Sequence, residues 1–246
     1  MPARPGGAAL ADSSGVKKAV RGKPAPYRGA APFIPKTSSL RRLEAAVDGC
    51  RGCDLYRNAT QGVFGEGPRL APLMLVGEQP GDREDLEGRP FVGPAGALLD
   101  RALADARIPR EGVYVTNVVK HFKFLRTGKR RIHQTPDSGE IEACGPWLFR
   151  ELEIVKPNVL VCLGATAAKS ILGSSFRVST AHGRVLGSKL APKTLATIHP
   201  SAALRAPDSA GRRRLYRQLV NDLRAAARAA RTSAPRRAWP ADPTGR

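Results

Sequence analysis

The side chains of this 246-residue chain that could do chemistry fall into two groups. The first is a set of polar residues that each follow an apolar run: Glu78 and Gln79 after Leu73–Val76, Asn117 after Val113–Thr116, and His199 after Lys193–Ile198. An Asn amide presents one donor face and one acceptor face, which suits the edge of a pyrimidine base that alternates acceptor and donor. Phe91 could stack on such a base. His199 could donate to its carbonyl as negative charge builds there when a glycosidic bond breaks. Glu78 could orient a water or a nucleophile toward the sugar carbon, and His133, if neutral, has a ring nitrogen free to attack that carbon itself. The second group is the cysteines. Cys50 and Cys53 have the C-x-x-C spacing that lets two thiolates grip one metal centre. Cys144 sits on an apolar helical face and Cys162 inside an apolar run, both ordinary places for core cysteines. On spacing alone, core packing, zinc and an iron centre all stay open.

Elements of regular structure must position these groups. Residues 1–35 are rich in Ala, Gly, Pro and basic groups without a period, the composition of a disordered arm, and 231–246 read as a second loose tail. One domain, 36–230, lies between them. A helical pattern from Ser38 (Leu40, Leu43, Ala46, Val47) leads to Cys50. Arg69 and Leu70 open the first strand, which enters the stretch Gly77–Gly96, GEQPGDREDLEGRPFVGPAG. This stretch is polar, glycine-rich and too long for a tight turn, which reads as a functional loop on a rigid sheet. Its glycines admit backbone angles that other residues resist and let a ligand come close.

A helix over Pro94–Arg107 leaves the loop, and a strand over Val113–Thr116 follows. Next come a helix over Ser138–Val155 stopped by Pro157, a strand over Val159–Leu163 and a helix over Ala165–Leu172. A hairpin or irregular crossing over Phe176–Val185, a strand over Lys193–Ile198 and a helix over Ser209–Ala230 complete the order. Alternation of strands and helices predicts an α/β fold of three layers, with a central, mainly parallel four-stranded sheet flanked by helices. Glu78, Gln79, Asn117 and His199 then share the sheet edge at which ligands bind. Singly, each has a plain reading: His199 as a strand cap, Asn117 as a turn residue, Glu78 as a partner for an arginine. Their convergence is the stronger argument for a site.

Charge points to the partner. The chain carries 41 Lys and Arg against 21 Asp and Glu, a formal net charge of +20. Such an excess fits a polyanion, nucleic acid before membrane. Between Gly112 and Pro136 there is no Asp or Glu, while Lys120, Lys123, Arg126, Lys129, Arg130 and Arg131 interleave with Phe122 and Phe124. Cations for phosphates beside flat rings for bases are what a nucleic-acid groove needs; the plain alternative is a solvated loop over two core phenylalanines. No apolar run approaches a membrane span, and the N-terminus lacks the continuous apolar core of a secretory signal. The chain is expected in the cytoplasm, with reduced cysteines.

GEQPGDREDLEGRPFVGPAG, TNVVKHFKF, GKRRIHQTP and HPSAALR together resemble the iron–sulfur uracil-DNA glycosylases over roughly Ser39–Ala226. Within that superfamily the chain is most similar to the X-type subgroup, which links itself covalently to uracil-bearing DNA. Gln79 in GEQPG and the intact Lys129–His133 KRRIH run are the marks of that subgroup. The resemblance implies that Glu78 and Gln79 line a uracil pocket, Phe91 stacks on the base, Asn117 reads its edge and His199 assists its departure. It implies that Arg131 braces the KRRIH run and that His133 captures C1′ of the deoxyribose. Lys120, Lys123, Lys129 and Arg130 are expected at the DNA backbone. A [4Fe–4S] cluster is implied on Cys50, Cys53, Cys144 and Cys162. The expected substrate is uracil-containing DNA, single-stranded by preference, acted on by a monomer.

Overall fold

Apolar strands with no polar face need cover on both sides, and that requirement organises the molecule. The computed structural model describes residues 27–232, so the bulk of the expected arm (1–26) and the tail from 233 lie outside the described residues. In chain order come α1 (Leu40–Val47), β1 (Leu73–Gly77), α2 (Asp82–Glu87), α3 (Pro94–Asp105) and β2 (Val113–Asn117). A hairpin of β3 (Phe124–Thr127) and β4 (Arg130–His133) precedes α4 (Ser138–Val155) and β5 (Val159–Leu163). Then follow α5 (Ala165–Leu172), α6 (Val178–Ala181), β6 (Lys193–Thr197), α7 (Pro200–Leu204) and α8 (Ser209–Arg231).

Four strands pair in parallel in the order β2-β1-β5-β6. Side chains alternate between two cores. Leu73, Leu75, Val113, Val161 and Leu195 meet the apolar faces of α3 and α8. Met74, Val76, Tyr114, Leu160 and Cys162 meet the layer that holds α1, α4 and α5. The three-layer α/β architecture expected from the sequence is the one observed. The order reverses between β1, which leads outward to β2, and β5, which leads outward to β6. A crevice at such a switch point is where open α/β sheets bind ligands.

The structure departs from the sequence reading in four places. The long polar loop after β1 contains the helix α2, whose N-terminus is closed by Glu84: its carboxylate accepts from Gly81 N at 3.1 Å and Gly93 N at 2.8 Å. The basic stretch after β2 is an antiparallel hairpin, not a loop; its many cations had masked the alternation. Phe176–Val185, expected as a hairpin or an irregular crossing, holds the single turn α6. Residues 27–35, placed with the loose arm, pack on the domain: Gly29 N donates to Gly52 O at 2.9 Å and Ala30 N to Ala143 O at 2.8 Å.

One charged pair lies wholly inside. Lys120 and Glu151 have no exposed side-chain surface, and Nζ donates to Oε2 at 2.6 Å. The same ammonium donates to Thr116 Oγ1 at 2.6 Å and Asn117 O at 2.9 Å. Glu151 Oε1 accepts from Gly65 N and Thr116 Oγ1, both at 2.9 Å, and from Tyr114 Oη at 3.1 Å. Lys120 is therefore a core residue and does not reach a DNA phosphate, contrary to its placement from sequence.

Removing one member of a buried ion pair leaves the other uncompensated, at a cost of about 3–5 kcal/mol. Lys120→Met should lower the unfolding free energy by that order, seen as a lower urea midpoint with an unchanged denaturant slope. Adding Glu151→Leu should recover much of the loss. A single variant as stable as the parent would mean that the pair is hydrated.

Candidate active site

The carboxyl ends of the four strands surround a cavity of about 940 Å³ lined by Glu78, Phe91, Asn117, His133, Thr166 and His199, among others. Its floor depends on a close approach. A Cβ on Gly77 would collide with the Asn117 amide and come within 2.8 Å of the Phe91 ring. Phe91 is held in the left-handed region, φ 58°, and its carbonyl packs so tightly on Gly96 that no side chain fits there. Non-glycine residues in that region are costly and persist where the surroundings over-determine them.

Asn117 Oδ1 is buried and has no hydrogen-bond partner among the described residues. A buried, unpaired acceptor is expensive, and this oxygen has its acceptor capacity unused. His199 follows β6, its ring 6.2 Å from that of Phe91 and tilted 30°. Its Nδ1 accepts from Ser201 N at 3.2 Å and lies 2.7 Å from Ser201 Oγ. A backbone N–H can only donate, so Nδ1 carries no proton and the neutral ring holds its hydrogen on Nε2. Burial pushes the His199 pKa down to about 4, with Arg205 and His133 adding to the shift. The ring is a neutral donor.

His133 ends β4 with half its side chain exposed, and its Nε2 lies 3.5 Å from Glu78 Oε1. That separation is electrostatic contact rather than a formed hydrogen bond. Burial lowers the His133 pKa, opposed by Glu78 and assisted by Arg205, so the ring is neutral near pH 7 with one free lone pair. Thr166 Oγ1 donates to the other Glu78 oxygen across the crevice between β1 and β5.

The hairpin that carries His133 is fixed at two points. At its neck, Gln79 accepts from Lys123 N at 2.9 Å and donates to Lys123 O at 3.2 Å and Gln134 O at 2.9 Å. Gln79 lines the cavity, yet its amide is committed to this clamp rather than to a base. Midway along, Arg131 pairs with Asp82 and Asp85, both at 2.5 Å, and lies over the Phe122 and Phe124 rings at 5.6 and 5.1 Å. Lys123 Nζ is taken by Glu140 at 2.7 Å and Asp137 at 3.3 Å, within the box that caps α4, so it too is spoken for by the protein. Lys129, in the hairpin turn, and Arg130, at the start of β4, are exposed. Thr166, Ser201, Asp82 and Asp85 escaped the sequence reading: nothing in their spacing announced them, although the last three lie within or beside motifs already singled out.

All four cysteines are free and buried in one apolar layer. Burial raises the thiols of Cys53 to about 11 and of Cys144 and Cys162 to about 12. Cys50 and Cys53 lie close enough to Cys144 to raise it further, and Lys120 N donates to Cys144 Sγ at 3.2 Å. Cys162 projects from β5 into the same layer. Among the described residues no group of three or more His, Cys, Asp or Glu side chains is placed to hold a metal ion. The four are all-sulfur, buried donors, the ligand type that a soft metal centre takes.

A profile of the uracil DNA glycosylase superfamily matches residues 64–224. A type-4 uracil-DNA glycosylase from Archaeoglobus fulgidus is 40% identical over 178 residues, covering 69% of this chain and 85% of the relative. One from Thermotoga maritima is 41% identical over 160 residues, covering 65% and 80%. One from Sulfurisphaera tokodaii is 38% identical over 178 residues, covering 69% and 78%.

The depressed pKa of His199 has a definite sign. The folded state favours the neutral ring, so the stability contributed is full above the ordinary value near 6.5 and is lost as pH falls toward about 4. Nitrogen NMR of the imidazole at pH 6 should show Nδ1 bare and Nε2 protonated. A ring that titrates near 6.5 would overturn the assignment.

Proposed function

The chain belongs to the uracil DNA glycosylase superfamily, and from that premise we propose that it excises uracil from DNA and then captures the abasic sugar on His133. The base is flipped from its strand into the cavity. Asn117 Oδ1, otherwise orphaned, accepts from the imide N–H, and the Phe91 ring stacks on the base. As the C1′–N1 bond breaks, its electron pair passes to the base, and the neutral His199 Nε2–H donates to the developing oxyanion. The base takes its proton from solvent.

The oxocarbenium carbon left behind takes a lone pair from the His133 ring, forming a C1′–N bond. The ring's remaining N–H proton goes to Glu78, held 3.5 Å away by the Thr166 contact and the hairpin clamp. Placement of a neutral imidazole beside Glu78 at the cavity mouth is the observation that carries this reading. A bonded histidine does not leave as water would, so each molecule acts once. Single-stranded DNA is the preferred substrate because it spares the cost of unpairing. The protein acts as a cytoplasmic monomer, and no helix among the described residues is long and apolar enough to cross a membrane.

Cys50, Cys53, Cys144 and Cys162 would hold a [4Fe–4S] cluster, whose contribution is to tie the C-x-x-C loop, α4 and β5 together rather than to react. A second reading keeps the same pocket but gives the attack to a water directed by Glu78. It is favoured by the half-exposed position of His133, which leaves solvent access.

A uracil-containing oligonucleotide mixed with the protein should give a band shift that survives SDS and heat, absent with thymine. His133→Ser should abolish that band while free uracil is still released. Repeated turnover by the parent would decide for water; no uracil release would leave a binding module. Purified protein should be brown with about four irons per chain, and a colourless zinc protein would overturn the cluster.

A further inference from the structure

A second cavity, of about 670 Å³, lies between α2 and the hairpin. It falls within the range of about 300–1,000 Å³ usual for ligand sites. Ile132 lines both this cavity and the first, so the two adjoin across a single side chain. In the hairpin, Phe124 pairs with His133 and Arg126 with Arg131, so these four share one face, and from it Arg131 reaches Asp82 and Asp85 on α2. Leu125 and Ile132, paired with each other, lie on the other face. Ile132 is 43% exposed and Leu86, across the cavity on α2, is 58% exposed. Two exposed large apolar side chains lining one cavity are unusual on a surface this charged.

The electrostatics of the cavity are one-sided. Arg131 and Asp82, both on its wall, neutralise each other. Arg126, Lys129 and Arg130 have no carboxylate partner among the described residues, and Arg126 is steadied over the Phe124 ring at 5.9 Å. The turn at Gly128 has nothing packed on its open side. An apolar cleft rimmed by three unpaired cations matches one chemistry, a flat base joined to a phosphate.

We propose that this second cavity is a subsite for the nucleotide next to the excised one, reached by an unpaired DNA strand that crosses Ile132. Its base packs on the apolar wall that includes Leu86 and Ile132, and its phosphates meet Arg126, Lys129 and Arg130. The proposal rests on the DNA-glycosylase reading above and adds to it. A strand that seats one residue in each cavity has turned two successive bases out of any duplex, which gives the single-strand preference a structural cause. It also makes the site directional, since the adjoining cavity lies on one side of the reacting nucleotide.

The test uses the full chain in excess over labelled oligonucleotide, so that a self-trapped enzyme does not obscure the rate. Uracil release is followed from a strand with nucleotides on both sides of the deoxyuridine, on the 5′ side alone and on the 3′ side alone. Removing one flank should raise the half-saturating enzyme concentration by about tenfold, leave the maximal rate within about threefold, and do so on one side alone. Leu86→Ser combined with Arg126→Ala should produce the same rise with the full strand and no further rise when that flank is removed. Both positions are on the surface, and an unchanged thermal midpoint checks the fold. Equal losses from either flank, or losses from variant and truncation that multiply, would overturn the subsite while leaving the glycosylase intact. Failure to release uracil from any strand would sink the glycosylase reading and the subsite with it.

Discussion

The buried pair of Lys120 and Glu151 is the joint on which the site depends. Two charges have left water completely, and each is repaid only by saturated hydrogen bonding. The result ties five groups together at one point: Gly65 N, Tyr114, Thr116 and the carbonyl of Asn117 on β2, and Glu151 of α4. The backbone of Lys120 adds a sixth tie, to Cys144. Asn117 can keep an orphaned amide oxygen because its own main chain is held by an ammonium with no other place to go. The cysteine layer and the cavity floor are in this sense two faces of one polar knot inside an apolar core.

Around that joint, positions are set by over-determination rather than by any single strong contact. The hairpin that brings His133 to Glu78 is a two-stranded ribbon, a form marginal in isolation. Here it is pinned by the Gln79 amide at its base and by the Arg131 ion pairs along its length. Both anchors, and Glu78 itself, come from the segment that follows β1. One short stretch thus supplies the pocket carboxylate and the clamps that aim the imidazole at it. The cost of holding Phe91 at positive φ is met in the same region, by the Glu84 carboxylate bonded to both Gly81 N and Gly93 N.

The frame was legible in the sequence because its signals are local. Apolar runs such as Leu73–Val76 and Val159–Leu163 announce buried parallel strands, and the residues after them must share an edge. That is why Glu78, Asn117 and His199 could be brought together without coordinates. The hairpin was illegible for the opposite reason: Leu125 and Ile132 are its outward apolar pair, and its inward face is half cationic, so the usual alternation of apolar in and polar out is inverted. Lys120 was misread because a lysine in a basic run looks solvated. Only the carboxylate at position 151, far away in sequence, tells otherwise. Gln79 and Lys123 likewise found protein partners that spacing does not reveal.

The neck of the hairpin is closed on itself: Gln134 N donates to Lys123 O at 2.9 Å. Residues 124–133 therefore leave the domain and return to it at nearly the same point. In terms of chain connectivity they form a cassette, and cutting it out would leave two ends that a short link could join without moving β2 or α4. The outer histidine and the pocket floor need not share a history. One insertion or deletion could add or remove the imidazole while Asn117, Phe91 and His199 stay where the sheet holds them.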